Sequence, residues 1–255
     1  MPSRLQKFLS GYDRSRSREY VLTTKLVHDL SVAAASAGYD LIVYLPTVDA
    51  DGFDVVFDDR DRLVAMQLKS VVSGGKAATW KIRRSLLRPR PEDADLFGFE
   101  SSPTGTGRSG GVILISAAAQ GDAVSVRYFY TDIVVLSALW EGIVPKPEPQ
   151  RKRLQKLRHD LMADADGTVK VPRSAFMPAA TPAQLLALAG LHSAVDSWWR
   201  MRLLDLLRQL NLASKLRQPV DDLRESIRTE LMGFGTAAVG TGAAREARSK
   251  VRRPR

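Results

Sequence analysis

The stretch Asp51–Ser70, DGFDVVFDDRDRLVAMQLKS, holds an acid ahead of one short apolar run and Gln-x-Lys at the end of another. Asp54 can give a carboxylate to a divalent cation and Gln67 a neutral carbonyl oxygen. Lys69 can orient or deprotonate a water and offset charge developing in a transition state. Hydrolysis of a phosphodiester needs these parts: a cation beside the scissile phosphate, and a nucleophilic water whose pKa the metal lowers. Mg²⁺ suits the donor set, with Mn²⁺ as a substitute. It takes one or two carboxylates and completes its octahedron with waters and phosphate oxygens.

A hairpin must position these groups. Phe53–Phe57 and Leu63–Leu68 are short, apolar and rich in strand-forming residues, and Asp58, Asp59, Arg60 and Asp61 between them read as a polar turn. A two-residue turn at Asp59-Arg60 pairs Asp58 with Asp61 and Asp54 with Ala65, and a four-residue loop keeps that register. Side chains alternate faces and paired residues share one. Asp54, Val56, Leu63, Ala65, Gln67 and Lys69 then project to one side, with Asp54 and Gln67 as diagonal neighbours within reach of one ion. A slip of one residue would separate them. Taken singly, Asp54 reads as a strand-edge carboxylate, Gln67 as a solvent-facing strand residue and Lys69 as an exposed lysine. Their order and shared face are what point to a site.

Upstream, Ser17–Ala37 reads as a helix ended by Gly38. Leu22, Leu26, Leu30, Ala33 and Ala37 recur at helical spacing and mark its buried stripe. Glu19 falls one turn before Leu22 on that stripe. A buried carboxylate is costly without a partner, and a metal ion or Lys69 would supply one. The other reading is that Glu19 favours the helix N-terminus through the macrodipole.

The order Glu19, Asp54, Gln67, Lys69 resembles the PD-(D/E)xK nuclease superfamily, in the variant with Gln at the second acidic position. Mrr-type restriction endonucleases and Holliday-junction-resolvase-like proteins are similar in outline. The resemblance spans residues 15–140. It implies metal binding at Asp54 and Gln67 with support from Glu19, catalysis by Lys69, and a restriction-endonuclease-like α/β core. It also implies a Mg²⁺-dependent deoxyribonuclease, an endonuclease in preference to an exonuclease, serving restriction or defence against foreign DNA, with repair as a second role. Phe53 stands where the superfamily's proline would be. Gln67 removes one negative charge, which weakens metal binding or favours a single-metal site. The alternatives are a non-catalytic nucleic-acid-binding or scaffold protein that keeps the fold, and a nuclease directed at RNA.

The chain as a whole bounds these readings. Its 255 residues suffice for a substantial core. It has no cysteine, which excludes disulfides and thiolate metal sites. His28, His159 and His192 have no mutual metal-ligand spacing. No apolar run is long enough to span a membrane, and the first twenty residues lack the apolar core of a signal peptide, so a cytoplasmic protein is expected. The net charge is +10. Basic residues cluster at Arg4–Arg18, Arg83–Arg90, Arg151–Arg158 and Arg245–Arg255, a distribution suited to a phosphate backbone. The last cluster sets six basic residues against Glu246 and so carries half of the net excess.

Beyond the hairpin, Val71–Thr79 reads as a polar loop and Trp80–Leu87 as either a strand or a short helix, with Trp80 in the core. Arg88–Gly111 reads as a loop. Its run SSPTGTGRSGG lacks the Gly-Lys-Ser/Thr of a phosphate loop. Val112–Ser116 and Val124–Tyr130 read as strands, and Asp132–Trp140 as a helix capped by Thr131 or Asp132. The expected architecture is α/β: a mixed central sheet flanked by helices over residues 1–145, a helical extension over 146–232 and a disordered basic tail over 233–255. The extension's helices are expected at Arg151–Ala163, after Thr181-Pro182, at Ala194–Leu216 and at Val220–Met232. Their apolar stripes read as packing on the core, with homodimerisation or DNA clamping as the other role.

Overall fold

The structure, a computed structural model, describes residues 3–11, 13–46, 52–75, 77–100, 106–163, 167–191, 198–211 and 217–236. Asp51, residues 194–197 and 212–216 of one expected helix, and nearly all of the basic tail lie outside them.

Helix α1 (Arg4–Ser10) leads into α2 (Ser15–Ser36). Leu22, Leu26, Leu30 and Ala34 form the buried stripe of α2. Gly38, at φ +87°, takes the left-handed position that ends it. Strands β1 (Ile42–Tyr44), β2 (Val55–Asp58) and β3 (Leu63–Val72) form an antiparallel meander. Strand β4 (Thr79–Arg83) runs straight into α3 (Arg84–Leu87), so the ambiguous segment holds both a strand and a helical turn. Strands β5 (Gly111–Gln120) and β6 (Ala123–Asp132) are a long hairpin, and β5 lies parallel to β3. Asp132 caps α4 (Ile133–Trp140) by accepting the Val135 N–H at 2.7 Å.

Residues 146–232 are not purely helical. Between α5 (Glu148–Ala163) and α6 (Pro182–Ala189) lie β7 (Thr168–Pro172) and β8 (Met177–Ala179). Strand β7 pairs with β4 in a small second sheet, and β8 pairs with β6. Two strands were missed because Val169 and Val171, and then Met177 and Ala179, are too short a pattern to stand out between helices. Among the described residues the main sheet has six strands in the order β1-β2-β3-β5-β6-β8, antiparallel except at β3/β5. The fold is therefore mixed α/β with helices around a largely antiparallel central sheet.

Thr181 opens α6 with a reciprocal capping box to Gln184, as Thr181-Pro182 led us to expect. Helices α7 (Trp198–Asn211) and α8 (Arg217–Gly233) follow. Trp199, Leu203 and Leu206 on α7 and Ile227 and Leu231 on α8 join one continuous core with the sheet. Their apolar stripes are thus spent on packing within the chain. Helix α2 rests beside α6 and is pinned to the sheet where Tyr128 Oη donates to Asp29 Oδ2 at 2.7 Å. Trp80 is buried edge-on against Phe176, with ring centroids 5.6 Å apart. No helix among the described residues is long and apolar enough to cross a membrane.

Candidate active site

The β2/β3 turn decides the register. Asp59 is buried, and its Oδ1 accepts the N–H groups of Asp61 (3.0 Å) and Arg62 (2.6 Å). Asp58 Oδ1 accepts the N–H of Arg60, which sits at φ +72°. These side-chain bonds to the backbone stabilise a longer turn than the two-residue one expected from the sequence. Asp58 consequently lies opposite Leu63, and Val56 opposite Ala65. The register differs from the expected one by two residues. An even shift preserves the alternation, so Val56, Ala65, Gln67 and Lys69 still share a face.

At its other end β2 leaves the ladder. Asp54 donates its N–H to the Met66 carbonyl at 2.8 Å, while its Oδ2 accepts the Leu68 N–H at 2.6 Å. A carboxylate thus takes the place of the next strand carbonyl. Gly52, just before it, has φ +75°, and a Cβ there would fall 2.3 Å from Arg83 Cγ. Only glycine fits that close approach. Beyond Met66, β3 keeps its parallel partner β5 but, among the described residues, has no strand on the β2 side.

A cavity of about 350 Å³ opens along this freed edge. Three consecutive residues of β3 line it, Leu68, Lys69 and Ser70, together with Asp54 and the Arg18–Thr23 turn of α2, including Glu19. Three of the four candidate residues are therefore brought together from three elements. Lys69 and Asp54 are half-buried, whereas Glu19 is exposed. The expectation of a buried Glu19 carboxylate is not met: it lies one turn before buried Leu22 but is itself exposed. Arg18, counted in the sequence only as charge, also lines the cavity, with Nη1 donating to the carbonyls of Leu9 (2.9 Å) and Gly11 (3.3 Å).

Gln67 is not brought to this cavity. Its Oε1 accepts the Arg83 N–H at 3.4 Å, toward β4. The longer turn does not separate Gln67 from Asp54, since its register continued past the Val55–Met66 pair sets the two opposite each other; they part because the Gln67 carboxamide turns to the Arg83 N–H. Among the described residues no three His, Asp or Glu side chains converge as a ready metal cage. Asp54 and Glu19, two carboxylates on one cavity, are the residues that could hold a Mg²⁺ ion bound otherwise through water and phosphate.

Comparison with protein-family models, with curated proteins and with solved structures finds no match to this chain.

Proposed function

We propose that the chain is a metal-dependent nuclease acting on DNA, with a restriction-endonuclease-like core. The observation that carries this reading is the single cavity at which Asp54, Lys69 and Glu19 meet along the freed edge of β3. In this reading Asp54 and Glu19 would hold a Mg²⁺ ion, which would supply positive charge to polarise the phosphate and to lower the pKa of a nearby water. Lys69 orients that water and offsets charge gathering on the phosphoryl oxygens. Arg18, at the same cavity, attracts the substrate phosphate. The exposed basic face of α5, with Arg151, Lys152, Arg153 and Lys156, is a surface suited to a phosphate backbone. Restriction or defence against foreign DNA in the cytoplasm is the role the family resemblance implies, and repair is the next.

One observation favours a second reading. Gln67 bonds to the β4 backbone, which leaves two carboxylates where the superfamily pattern has three acidic positions. That suits a nucleic-acid-binding protein that keeps the fold without the chemistry.

Cleavage of supercoiled, linear and branched DNA with Mg²⁺ or Mn²⁺ separates the two. The nuclease reading expects metal-dependent cutting that Asp54→Ala and Lys69→Ala each reduce by about 100-fold or more. Binding by the wild type without cutting of any substrate would instead support the second reading. RNA supplied as a competitor tests the choice of DNA.

A further inference from the structure

A larger cavity, of about 600 Å³, lies at the opposite end of β3. Leu63 lines it and Lys69 lines the other, six residues and about 20 Å apart along the strand. Its walls come from the β2/β3 turn, the turns over residues 90–97, the start of α4, the end of α6 and the first turn of α7.

Three arginines meet there: Arg62, Arg90 and Arg200. Arg200 is fully engaged in structure. Its Nη2 contacts Asp132 Oδ2 at 2.6 Å, and its Nη1 donates to the Leu188 carbonyl at 2.6 Å. Asp132 is consumed as well, since it also accepts the Tyr130 hydroxyl at 3.0 Å and the Val135 N–H. Arg62 has no such arrangement. Its Nη1 donates to the Ala189 carbonyl at 3.2 Å, and among the described residues no carboxylate lies within ion-pair distance. Arg62 and Arg200 converge over Gly190, where a Cβ would sit 2.7 Å from Arg62 Nη1 and 2.8 Å from Arg200 Nε. Burial, and then the neighbouring charge of Arg200 with a smaller part from Arg90, pull the Arg62 guanidinium below its ordinary pKa, although Tyr130 and Asp132 oppose the shift. Arg90 is exposed and only 4.0 Å from Glu92, a weak surface pair. Asp61 and Asp93 are the other acids of the wall.

Arg200 is answered by Asp132, but Arg62, largely buried and bonded to a carbonyl alone among the described residues, is costly to hold charged unless an anion joins it. The guanidinium fork matches phosphate oxygens. Leu63, Phe97, Ile133 and Leu204 add apolar wall, and the volume falls in the range of small-molecule sites. We propose that this cavity binds a phosphomonoester of mononucleotide size, with Arg62 and Arg90 holding the phosphate and the apolar wall taking the organic body. The site is separate from the candidate catalytic cavity and does not depend on nuclease activity.

The test is calorimetric titration of the full chain at low salt with inorganic phosphate, with adenosine monophosphate, and with one oligonucleotide carrying or lacking a 5′-phosphate. The expected result is saturable binding of the mononucleotide, with inorganic phosphate as a competitor. Arg62→Gln and Arg90→Gln should each weaken it about tenfold or more. Arg127→Gln, at an exposed arginine on β6, should leave it unchanged, as should Asp54→Ala at the other cavity. Arg90 is exposed, so its variant decides the matter even if Arg62→Gln unfolds. Preference for the 5′-phosphorylated oligonucleotide, lost in the same two variants, would support the phosphate site and make a strand end its source. No binding of any probe at millimolar concentration would overturn the proposal. So would an equal loss in Arg127→Gln, or loss in Asp54→Ala.

Discussion

Gln67 and Asp54 sit side by side on the hairpin, yet their side chains part: Asp54 bonds the Leu68 N–H while Gln67 turns to the Arg83 N–H. This predicts unequal consequences. If the chain is the nuclease proposed, Gln67→Ala should leave metal-dependent cleavage within about threefold of wild type, where Asp54→Ala should reduce it about 100-fold or more. Equal losses in a kinetic comparison would return Gln67 to the metal. Asp132 is a second residue with a measurable weight. It is buried, pairs with Arg200, accepts from Tyr130 and caps α4. Asp132→Asn leaves the Arg200 charge buried without its partner, and chemical denaturation should show a loss of about 3–5 kcal/mol.

The elements show what the sequence could reveal and what it could not. Helix α2, the β2/β3 hairpin, strands within β5 and β6 and the Thr181 cap were legible because each carries a local signature: a 3.6-residue stripe, apolar or alternating runs, or cap chemistry. That Asp54 and Lys69 fall near one another was legible from their order along the hairpin, although Asp54 itself stands outside the ladder. The turn itself was not, because Asp59 bonds two backbone N–H groups that lie beyond the expected two-residue connection. Asp59→Ala should lower stability by about 1–3 kcal/mol in equilibrium unfolding, by orphaning those groups. The cavity at Arg62 was invisible for a different reason: Arg62, Arg90 and Arg200 come from distant parts of the chain. The docking of α2 also carries a pH signature. Burial raises the Asp29 carboxyl, but hydrogen bonds from Lys25, Tyr128 and His28 outweigh it and hold the group below the usual carboxylate range. The unfolded group titrates near pH 3.9. The stabilisation is therefore complete above about pH 4 and is lost as pH falls through the lower folded value. Tyr128→Phe should shrink that acid-dependent part of the unfolding free energy.

At the scale of the molecule, the charge has two separable parts. If DNA lies along α5, replacing Arg151, Lys152 and Arg153 with Gln should lower the slope of log K against log salt by up to about 3, near 0.9 for each phosphate no longer neutralised. If the basic residues 245–255 hold the phosphates instead, their removal will lower the slope while the α5 changes leave it intact. Fluorescence anisotropy over a salt series distinguishes the two. The apolar stripes of α7 and α8 are already used within the chain. Exposed Trp198, Met201 and Met232 remain on those helices.

Strand β8 has a consequence for how the protein is made. It completes the edge of the main sheet beside Tyr128, Phe129 and Tyr130, yet it is synthesised about 45 residues after β6. At ribosomal speeds of roughly 5–20 residues per second, the apolar end of β6 waits about 2–9 s for its neighbour. A chain stopped near residue 145 would present that edge permanently, as a template for pairing with other chains. The nascent chain therefore exposes an unpaired apolar edge during that interval, and its first 145 residues made alone should collect in inclusion bodies.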